Sequence, residues 1–294
     1  MNKIVFYLMN EKGLHVLNDF LNKFNSDVIE YIVLSKDENI EKDYFDEIRE
    51  ICQSNGIKFF YRKDNIPSFS GYKFTIGWRW IIENTNNLIV LHDSILPKYR
   101  GFSPLVNMLI NGEKVLGVTA LFASNKYDEG YIIKQERVSI EYPIKIKDAI
   151  EHISPLYSKL VNEIVDLIIV DETIVGFPQK KEEASYSVWR DEKDYFINWS
   201  KDSSSIRRTI DALGFPYSGA RTLLNGEVII IDEVEEYPDV IIENRDIGKV
   251  IFIEKNFPVV ICGEGLLKII RARDLNKKFV IPLNKFRSRF GGQI

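Results

Sequence analysis

The stretch from residue 92 to residue 130 reads HDSILPKYRGFSPLVNMLINGEKVLGVTALFASNKYDEG and directly follows a short apolar run at residues 88–91. An apolar run of this length favours a buried strand of a parallel sheet. Ligand sites in open α/β sheets lie outside the carboxyl ends of such strands, so His92 stands where chemistry is expected. The Leu96-Pro97 step and the Arg100-Gly101 pair are typical of a turn that leaves the strand.

Strand and helix patterns alternate on the amino side of this stretch. The predicted order is a strand at 3–9, a helix at 13–24, a strand at 28–34, a helix at 44–52, and strands at 58–61, 73–76 and 88–91. This alternation predicts an α/β fold with a doubly wound, Rossmann-like, mostly parallel sheet. No GxGxxG motif follows the first strand, so the dinucleotide-binding fingerprint is absent.

The carboxyl side of the stretch predicts the rest of this domain and then a second one. A strand at 131–137, a long helix at 147–166 and a short segment at 167–170 precede a polar linker at 177–186. We therefore expect a first domain at 1–185 and a second at 186–294. In the second, Ser203 or Ser204 is expected to cap a helix. Short β-rich runs at 228–231, 250–253, 259–262, 266–270 and 279–282 then predict a smaller β-rich, OB-like barrel.

The order H-x-S-x-L-P-x-x-R-G, N-G-E, G-V-T and D-x-G resembles the formyltransferases that use 10-formyltetrahydrofolate to formylate amines, and among them the sugar N-formyltransferases. The matching residues are His92, Ser94, Leu96, Pro97, Arg100, Gly101, Pro104, Asn111, Gly112, Glu113, Gly117, Val118, Thr119, Asp128 and Gly130. The rest of the first 185 residues agrees more loosely with the family. The C-terminal third matches it mainly in architecture.

The resemblance implies a catalytic pair made of His92 and Asp128. Formyl transfer requires stabilisation of a developing oxyanion and movement of a proton away from the attacking amine. An imidazole suits both tasks near neutral pH, and a nearby carboxylate would orient the ring and favour its protonated form. Outside such a motif, a lone His is more often a buried residue bonded to a carbonyl, and an Asp before Gly is more often a turn residue.

The resemblance also implies the residues that bind the two substrates. Those expected to bind 10-formyltetrahydrofolate are Trp78, Ser94, Ile95, Leu96 and Tyr127. Those expected to bind the acceptor are Lys98, Arg100, Trp189 and Arg190. Two alternatives stay open, since Arg100 can instead be tied to its own loop and the stretch 185–199 can instead be packing between domains. No metal site is predicted.

One position departs from the family pattern. Two residues before the catalytic His these enzymes usually carry an Asn, which completes an Asn-His-Asp triad, whereas this chain has Val90. Loss of one oxyanion donor typically lowers the rate by about 10² to 10³. We therefore expect a damaged but working site in which another donor replaces the amide.

Composition restricts the class of protein. The 294 residues are 45% hydrophobic and 28% charged, contain no apolar run near membrane-spanning length, and carry a net charge of −4. The segment from Tyr186 onward contains 17 Lys and Arg and 16 Asp and Glu residues, so we expect it to bind tRNA poorly. Cys52 and Cys262 have no CxxC spacing, so we expect inert thiols, a cytoplasmic protein and no role for a membrane or nucleic acid.

The sequence thus predicts an enzyme, an N-formyltransferase that moves a formyl group from 10-formyltetrahydrofolate to the amine of a UDP- or dTDP-linked amino deoxysugar for surface polysaccharide. The expected partner is this small molecule, and a homodimer is left open. One alternative is methionyl-tRNA formyltransferase. Another is an inactive protein that binds folate or a nucleotide sugar, which Val90 suggests.

Overall fold

The computed structural model describes residues 2–283 and 285–291 and divides into two compact units. The first unit comprises Met1–Leu105, Lys114–Ile140 and Asp148–Val188. The second comprises Val106–Glu113, Glu141–Lys147 and Trp189–Ile294. None of the helices within the described residues is long and apolar enough to span a membrane.

Within residues 2–188 the structure has nine strands and four α-helices. The strands are β1 (Ile4–Leu8), β2 (Ile29–Leu34), β3 (Phe59–Tyr61), β4 (Tyr72–Ile76), β5 (Leu88–His92), β6 (Arg100–Gly101), β7 (Val115–Phe122), β8 (Ile132–Ser139) and β9 (Tyr186–Ser187). The helices are α1 (Asn10–Lys23), α2 (Phe45–Ser54), α3 (Pro104–Asn111) and α4 (Ile146–Ile169). Seven strands form one sheet in the order β3-β2-β1-β4-β5-β7-β8, while β6 and β9 form a separate parallel pair.

The large sheet is mostly parallel, as the strand and helix alternation predicts. The five strands from β3 to β5 run parallel, whereas β7 and β8 are antiparallel to their neighbours. All five residues of β1 are buried, as a central strand covered on both faces requires. In the core, the Phe6 ring lies 5.1 Å from Phe20 of α1 and 5.7 Å from Phe74 of β4. These contacts fix α1 against the sheet that carries His92.

The second unit is a small antiparallel sheet with one helix on it, which confirms the β-rich prediction. Helix α5 (Ser203–Leu213) is followed by β10 (Ala220–Leu224), β11 (Glu227–Tyr237), β12 (Val250–Glu254), β13 (Phe257–Ile261) and β14 (Leu266–Asp274). The strand order is β10-β11-β14-β13-β12. Ile206, Ile210 and Leu213 are buried on one helical face of α5.

Three local predictions are wrong. Asp202 rather than Ser203 or Ser204 caps α5, since its carboxylate accepts from the Ser205 N–H at 2.8 Å. Residues 167–170 do not form a separate element, because α4 continues to Ile169. Residues 279–282 form no strand but only an isolated bridge between Phe279 and Arg273, and the proline that ends this run cannot donate to a ladder.

Candidate active site

The structure brings His92 and Asp128 together. His92 is the last residue of β5 and is 7% exposed. Its Nε2 lies 2.8 Å from the carbonyl oxygen of Tyr99, and its Nδ1 lies 3.5 Å from Oδ1 of Asp128. The other carboxylate oxygen of Asp128 accepts from the Gly101 N–H at 2.8 Å. Residues separated by 36 positions in sequence thus share one site.

The surroundings of the His92 ring determine which nitrogen faces a ligand. A carbonyl oxygen only accepts, so we assign a proton to Nε2 from this hydrogen bond and leave Nδ1 toward Asp128. The 3.5 Å separation of Nδ1 and Oδ1 exceeds an ordinary hydrogen bond. Catalytic contacts are often long before substrate binds. The pair can therefore handle a proton on the Nδ1 side of the ring.

Gln179 holds the Asp128 loop in place. Its amide nitrogen donates to the carbonyl oxygens of Asp128 at 2.6 Å and Gly130 at 2.8 Å. Its amide oxygen accepts from Nε and Nη2 of Arg100 at 3.0 and 2.7 Å. No sequence motif points to this residue, because it lies in a segment whose composition predicts only a polar linker.

Arg100 also contacts the loop that carries Asp128. Its side chain is 3% exposed, donates to the Tyr186 hydroxyl at 3.3 Å, and has Nη1 3.5 Å from Glu129. A buried guanidinium with these partners braces the loop and offers little to an acceptor substrate. Its assignment as a substrate-binding residue therefore stays a prediction that this geometry does not favour. The contacts agree with a structural role, but the partners Gln179, Tyr186 and Glu129 lie on other segments and not in its own loop.

The turn after His92 is fixed through its backbone. Ser94 is fully buried and its hydroxyl donates to the Lys98 carbonyl at 2.7 Å, so it shapes the turn. The Thr119 hydroxyl donates to the Ser94 carbonyl at 2.6 Å and accepts from the Leu96 N–H at 3.1 Å. Gln135 donates to the Leu96 carbonyl at 2.9 Å, although no sequence motif includes it. This network presents a rigid backbone edge beside the catalytic pair.

Two motif glycines are required by close approach. A Cβ atom on Gly117 would lie 2.1 Å from Cδ1 of Ile95, so this isoleucine packs directly on the glycine. A Cβ atom on Gly130 would lie 1.6 Å from the carbonyl oxygen of Phe122. Both contacts are far below van der Waals distance, which explains the glycines of G-V-T and D-x-G.

Two groups of packed aromatic side chains include residues predicted to bind folate. Trp78 follows β4, and its ring centroid is 5.1 Å from Tyr7 and 5.2 Å from Trp80. Its Nε1 is a buried donor with no acceptor among residues 2–283 and 285–291. Tyr127 is 57% exposed and pairs with Phe102, which the sequence motifs did not single out, at 5.4 Å. The unpartnered Nε1 donor of Trp78 and the exposed ring of Tyr127 are both suited to a flat heteroaromatic ligand.

Val90 lies two residues before His92 on the same face of β5. Its register partners are Thr75 on β4 and Leu121 on β7. The hydroxyl of Thr75 is therefore the polar group beside the position where the family usually carries an amide. It is the structural candidate for the donor that replaces this amide.

A buried ion pair anchors the residue after His92. Asp93 contacts Nζ of Lys12 at 2.6 Å and accepts a hydrogen bond from the Tyr157 hydroxyl. Burial by itself raises the pKa of the Asp93 carboxyl, but Lys12, the Tyr157 hydroxyl and the charge of His92 together hold this pKa below its usual value. The carboxylate thus ties the end of β5 to α1 and α4.

The remaining predicted acceptor residues are separated between the units. Lys98 is exposed in the first unit, whereas Trp189, which is 62% exposed, and Arg190 belong to the second. Nη2 of Arg190 donates to the Asn107 side chain at 2.5 Å. Burial lowers the pKa of this guanidinium, while the charges of Asp194 and Tyr195 oppose the change. A shared role for these residues stays a prediction.

Other reactive groups lie outside this chemistry. Cys52 and Cys262 are buried free thiols, and burial raises the pKa of each to about 12. They are therefore poor nucleophiles at neutral pH. In the described part of the chain, no group of three or more His, Cys, Asp or Glu side chains could hold a metal ion.

Comparison with known proteins points to one family. The family model described as "Formyl transferase" matches residues 69–157, and the one described as "Formyl transferase, C-terminal domain" matches residues 190–288. A methionyl-tRNA formyltransferase from Syntrophomonas wolfei is 30% identical over 202 residues. That alignment covers 69% of this chain and 63% of the relative, so this chain spans less than two thirds of its length.

Solved structures share the fold over nearly the whole chain. WlaRD, a sugar 3N-formyl transferase crystallised in the presence of dTDP and 5-N-formyl-THF, has a TM-score of 0.67 at 22% identity, covering 94% of this chain and 99% of its own. An N-formyltransferase from Helicobacter canadensis in complex with folinic acid and dTDP-3-aminofucose has a TM-score of 0.66 at 20% identity, covering 92% and 98%. At these identities the similarity shows the fold.

Proposed function

Because the chain belongs to the formyltransferase family, we propose that it transfers a formyl group from 10-formyltetrahydrofolate to the amine of a nucleotide-linked amino deoxysugar. The observation that carries the proposal is the buried His92–Asp128 pair at the carboxyl end of β5, with the 3.5 Å separation between Nδ1 and Oδ1. The ligands of the two similar solved structures, a formylated folate and a dTDP compound, support both substrate classes.

The residues around the pair fit the formyl donor. When bound, 10-formyltetrahydrofolate supplies an activated formyl carbon. Trp78 offers the unpartnered Nε1 donor, and the backbone of the neighbouring turn at Leu96 is held rigid by Thr119 and Gln135. The exposed ring of Tyr127 can cover a planar ligand.

His92 and Asp128 have separate roles in the transfer. The bond between the amine nitrogen and the formyl carbon forms while the bond from that carbon to N10 of the donor breaks. Protonated Nδ1 of His92 donates to the oxygen on which negative charge develops. Asp128, held by the Gly101 N–H at 2.8 Å, would accept the proton that the amine loses and pass it on to N10 of the departing donor, so that no net proton is gained or lost.

The second unit supports a small acceptor rather than tRNA. Seven of its cations are paired with carboxylates, which lowers the number of charges that can replace the counterions of a phosphate backbone. The pairs are Arg207–Asp211, Arg221–Glu192, Arg245–Asp239, Lys249–Asp246, Lys268–Glu235, Arg273–Asp232 and Arg289–Asp246. With the near balance of charges from Tyr186 onward, this favours the sugar acceptor.

Methionyl-tRNA formylation is the second candidate, because the 30% identical Syntrophomonas wolfei relative carries that name. Both reactions would use the same catalytic pair, so only the acceptor separates them. A surface acceptor site for tRNA requires clustered free cations. A gel shift with tRNA at two salt concentrations measures this requirement directly.

The test supplies purified protein with 10-formyltetrahydrofolate and either a panel of UDP- and dTDP-linked amino sugars or methionyl-tRNA. Mass spectrometry of the products reports which acceptor gains a formyl group. We expect a sugar nucleotide to be formylated and His92→Asn to lower turnover by at least about 100-fold at unchanged melting temperature. Near wild-type turnover in this variant would rule out the catalytic role of His92, and formylation of tRNA alone would refute the sugar acceptor.

A further inference from the structure

A cavity of about 650 Å³ opens at the carboxyl ends of β2 and β3 in the first unit. The cationic residues in its wall are Lys36, Arg49, Arg62, Lys63 and Arg79, and the acidic ones are Asp37 and Glu38. This excess of positive charge contrasts with the net charge of −4 on the whole chain. We call this cavity the cationic pocket.

Three of these cations are available to a ligand. Arg79 contacts Asp37 at 2.6 Å and Arg49 contacts Asp46 at 2.9 Å, so both are paired. Lys36, Arg62 and Lys63 have no carboxylate partner within residues 2–283 and 285–291. Cations gathered in one cavity without counterions favour an anionic ligand.

Aromatic rings hold two of the three available cations in position. The guanidinium of Arg62 lies over the Trp80 ring, 4.4 Å from its centroid, and Nζ of Lys36 lies 5.0 Å from the centroid of Phe45. Such contacts favour one position of each charged group before a ligand arrives. Two cations of the pocket are therefore partly positioned for binding.

Packed side chains connect the cationic pocket with the catalytic pair. Trp80 contacts Trp78, and Trp78 contacts Tyr7 on β1. The register of the sheet then continues from Tyr7 to Thr75 and from Thr75 to Val90, which lies beside His92. Since β2 and β5 are three strand spacings apart, the pocket lies about 14 Å from the catalytic strand.

The form of the pocket favours separate carboxylates over a compact diphosphate. Diphosphates are usually held by free backbone amides at a helix amino terminus. The helix that meets the pocket, α2, begins at Phe45, and the Phe45 N–H is already bonded to Asp43 at 3.2 Å. Asp46 and Glu47 in the first turn also repel a dense negative charge. Cationic side chains distributed along the wall of the pocket instead match carboxylates distributed along an extended ligand.

We propose that the cationic pocket binds the γ-linked glutamate carboxylates at the tail of the formyl donor. This inference rests on the proposed function, since it requires the formyl carbon of the donor to lie at His92. Peptide-like chains advance about 3.5 Å per residue even when α-linked. A donor with several glutamates therefore spans the distance to Lys36, Arg62 and Lys63, whereas a monoglutamate leaves them without partners.

The test compares direct binding of 5-formyltetrahydrofolate as the monoglutamate and as the pentaglutamate by titration calorimetry. We expect wild-type protein to bind the pentaglutamate about tenfold more tightly, the scale of a few exposed ion pairs, and this advantage to shrink at high salt. The variant Lys36→Gln/Arg62→Gln/Lys63→Gln should lose the advantage and keep its affinity for the monoglutamate. Lys58→Gln is the matched control, because Lys58 also lies 5.0 Å from an aromatic ring, that of Phe60, but precedes β3.

The outcomes separate this inference from the proposed function. Equal affinity of wild type for both tail lengths would overturn the inference while leaving formyl transfer intact. Failure to bind either folate would instead overturn the proposed function. A triple variant that keeps the tail preference and binds the nucleotide sugar less tightly would assign the pocket to the acceptor, which also contradicts the inference.

Discussion

The substitution Asp128→Asn isolates the charge of the catalytic carboxylate. Asp128 adopts a left-handed backbone conformation with φ of +53°, which Asn tolerates as well as Asp. The amide oxygen of Asn can still accept from the Gly101 N–H, so the loop held by Gln179 keeps its shape. What the variant loses is the negative charge 3.5 Å from Nδ1 of His92.

The expected effect on turnover follows from that distance. Two unit charges 3.5 Å apart interact by about 4 to 5 kcal/mol at an effective dielectric constant near 20. The side chains of His92 and Asp128 are 8% and 14% exposed, so solvent screens the pair only partly. Some of this energy is already present in the ground state. We therefore expect kcat to fall by about 10² to 10³, because each 1.4 kcal/mol is a factor of ten.

The measurement combines steady-state formylation over a range of pH with binding of 5-formyltetrahydrofolate. Asp128→Asn should leave folate binding within a few-fold of wild type, lower kcat and change the pH profile, since the variant lacks the carboxylate that accepts the proton of the amine. Asp128→Ala is a harsher comparison that also strains the turn. Wild-type kcat with an unchanged profile in Asp128→Asn would mean that this carboxylate only shapes its loop.

Three further predictions concern the surroundings of the pair. Wild type should formylate an amino-sugar nucleotide despite Val90. If the hydroxyl of Thr75 is the replacement donor, Thr75→Val should lower this turnover by about tenfold or more. Activity that appears only in Val90→Asn would contradict the idea that another donor replaces the amide. Asp93→Asn should lower the free energy of unfolding at pH 7 by about 1 to 3 kcal/mol, because it leaves a partly buried lysine unpaired. Because the pKa of Asp93 is depressed in the folded protein, its carboxylate stabilises the fold above its unfolded pKa of about 4, and this stabilisation is lost as the pH falls further. Urea unfolding should therefore show that the difference in free energy of unfolding between wild type and variant becomes smaller in acid. A difference that stays constant with pH would refute the ion-pair account. Gly130→Ala should lower the melting temperature and the activity together, since its Cβ would meet the Phe122 carbonyl oxygen at 1.6 Å, and an unchanged melting temperature would argue against this close approach.

Local patterns determined the elements and the position of the catalytic histidine. A four-residue apolar run predicts β5, and the turn residues after it place His92 at the strand end, because strand length and turn chemistry depend on near neighbours. The same reasoning was wrong at residues 279–282, where a β-rich run forms only a bridge. There the pairing partner, and not the composition of the run, decided the outcome.

Only the tertiary structure determined how the site is assembled. The order of the seven strands inserts antiparallel β7 beside β5, so Thr119 can fix the turn after His92. Gln179 joins Arg100 to the Asp128 loop across 51 and 79 positions of sequence, and no local pattern encodes such contacts. The cationic pocket is likewise a product of strand order, since it collects residues that follow three different strands. Composition and spacing inform about a few neighbouring residues. The contacts of the site depend instead on strand register and topology, which are set when the whole chain buries its apolar faces together.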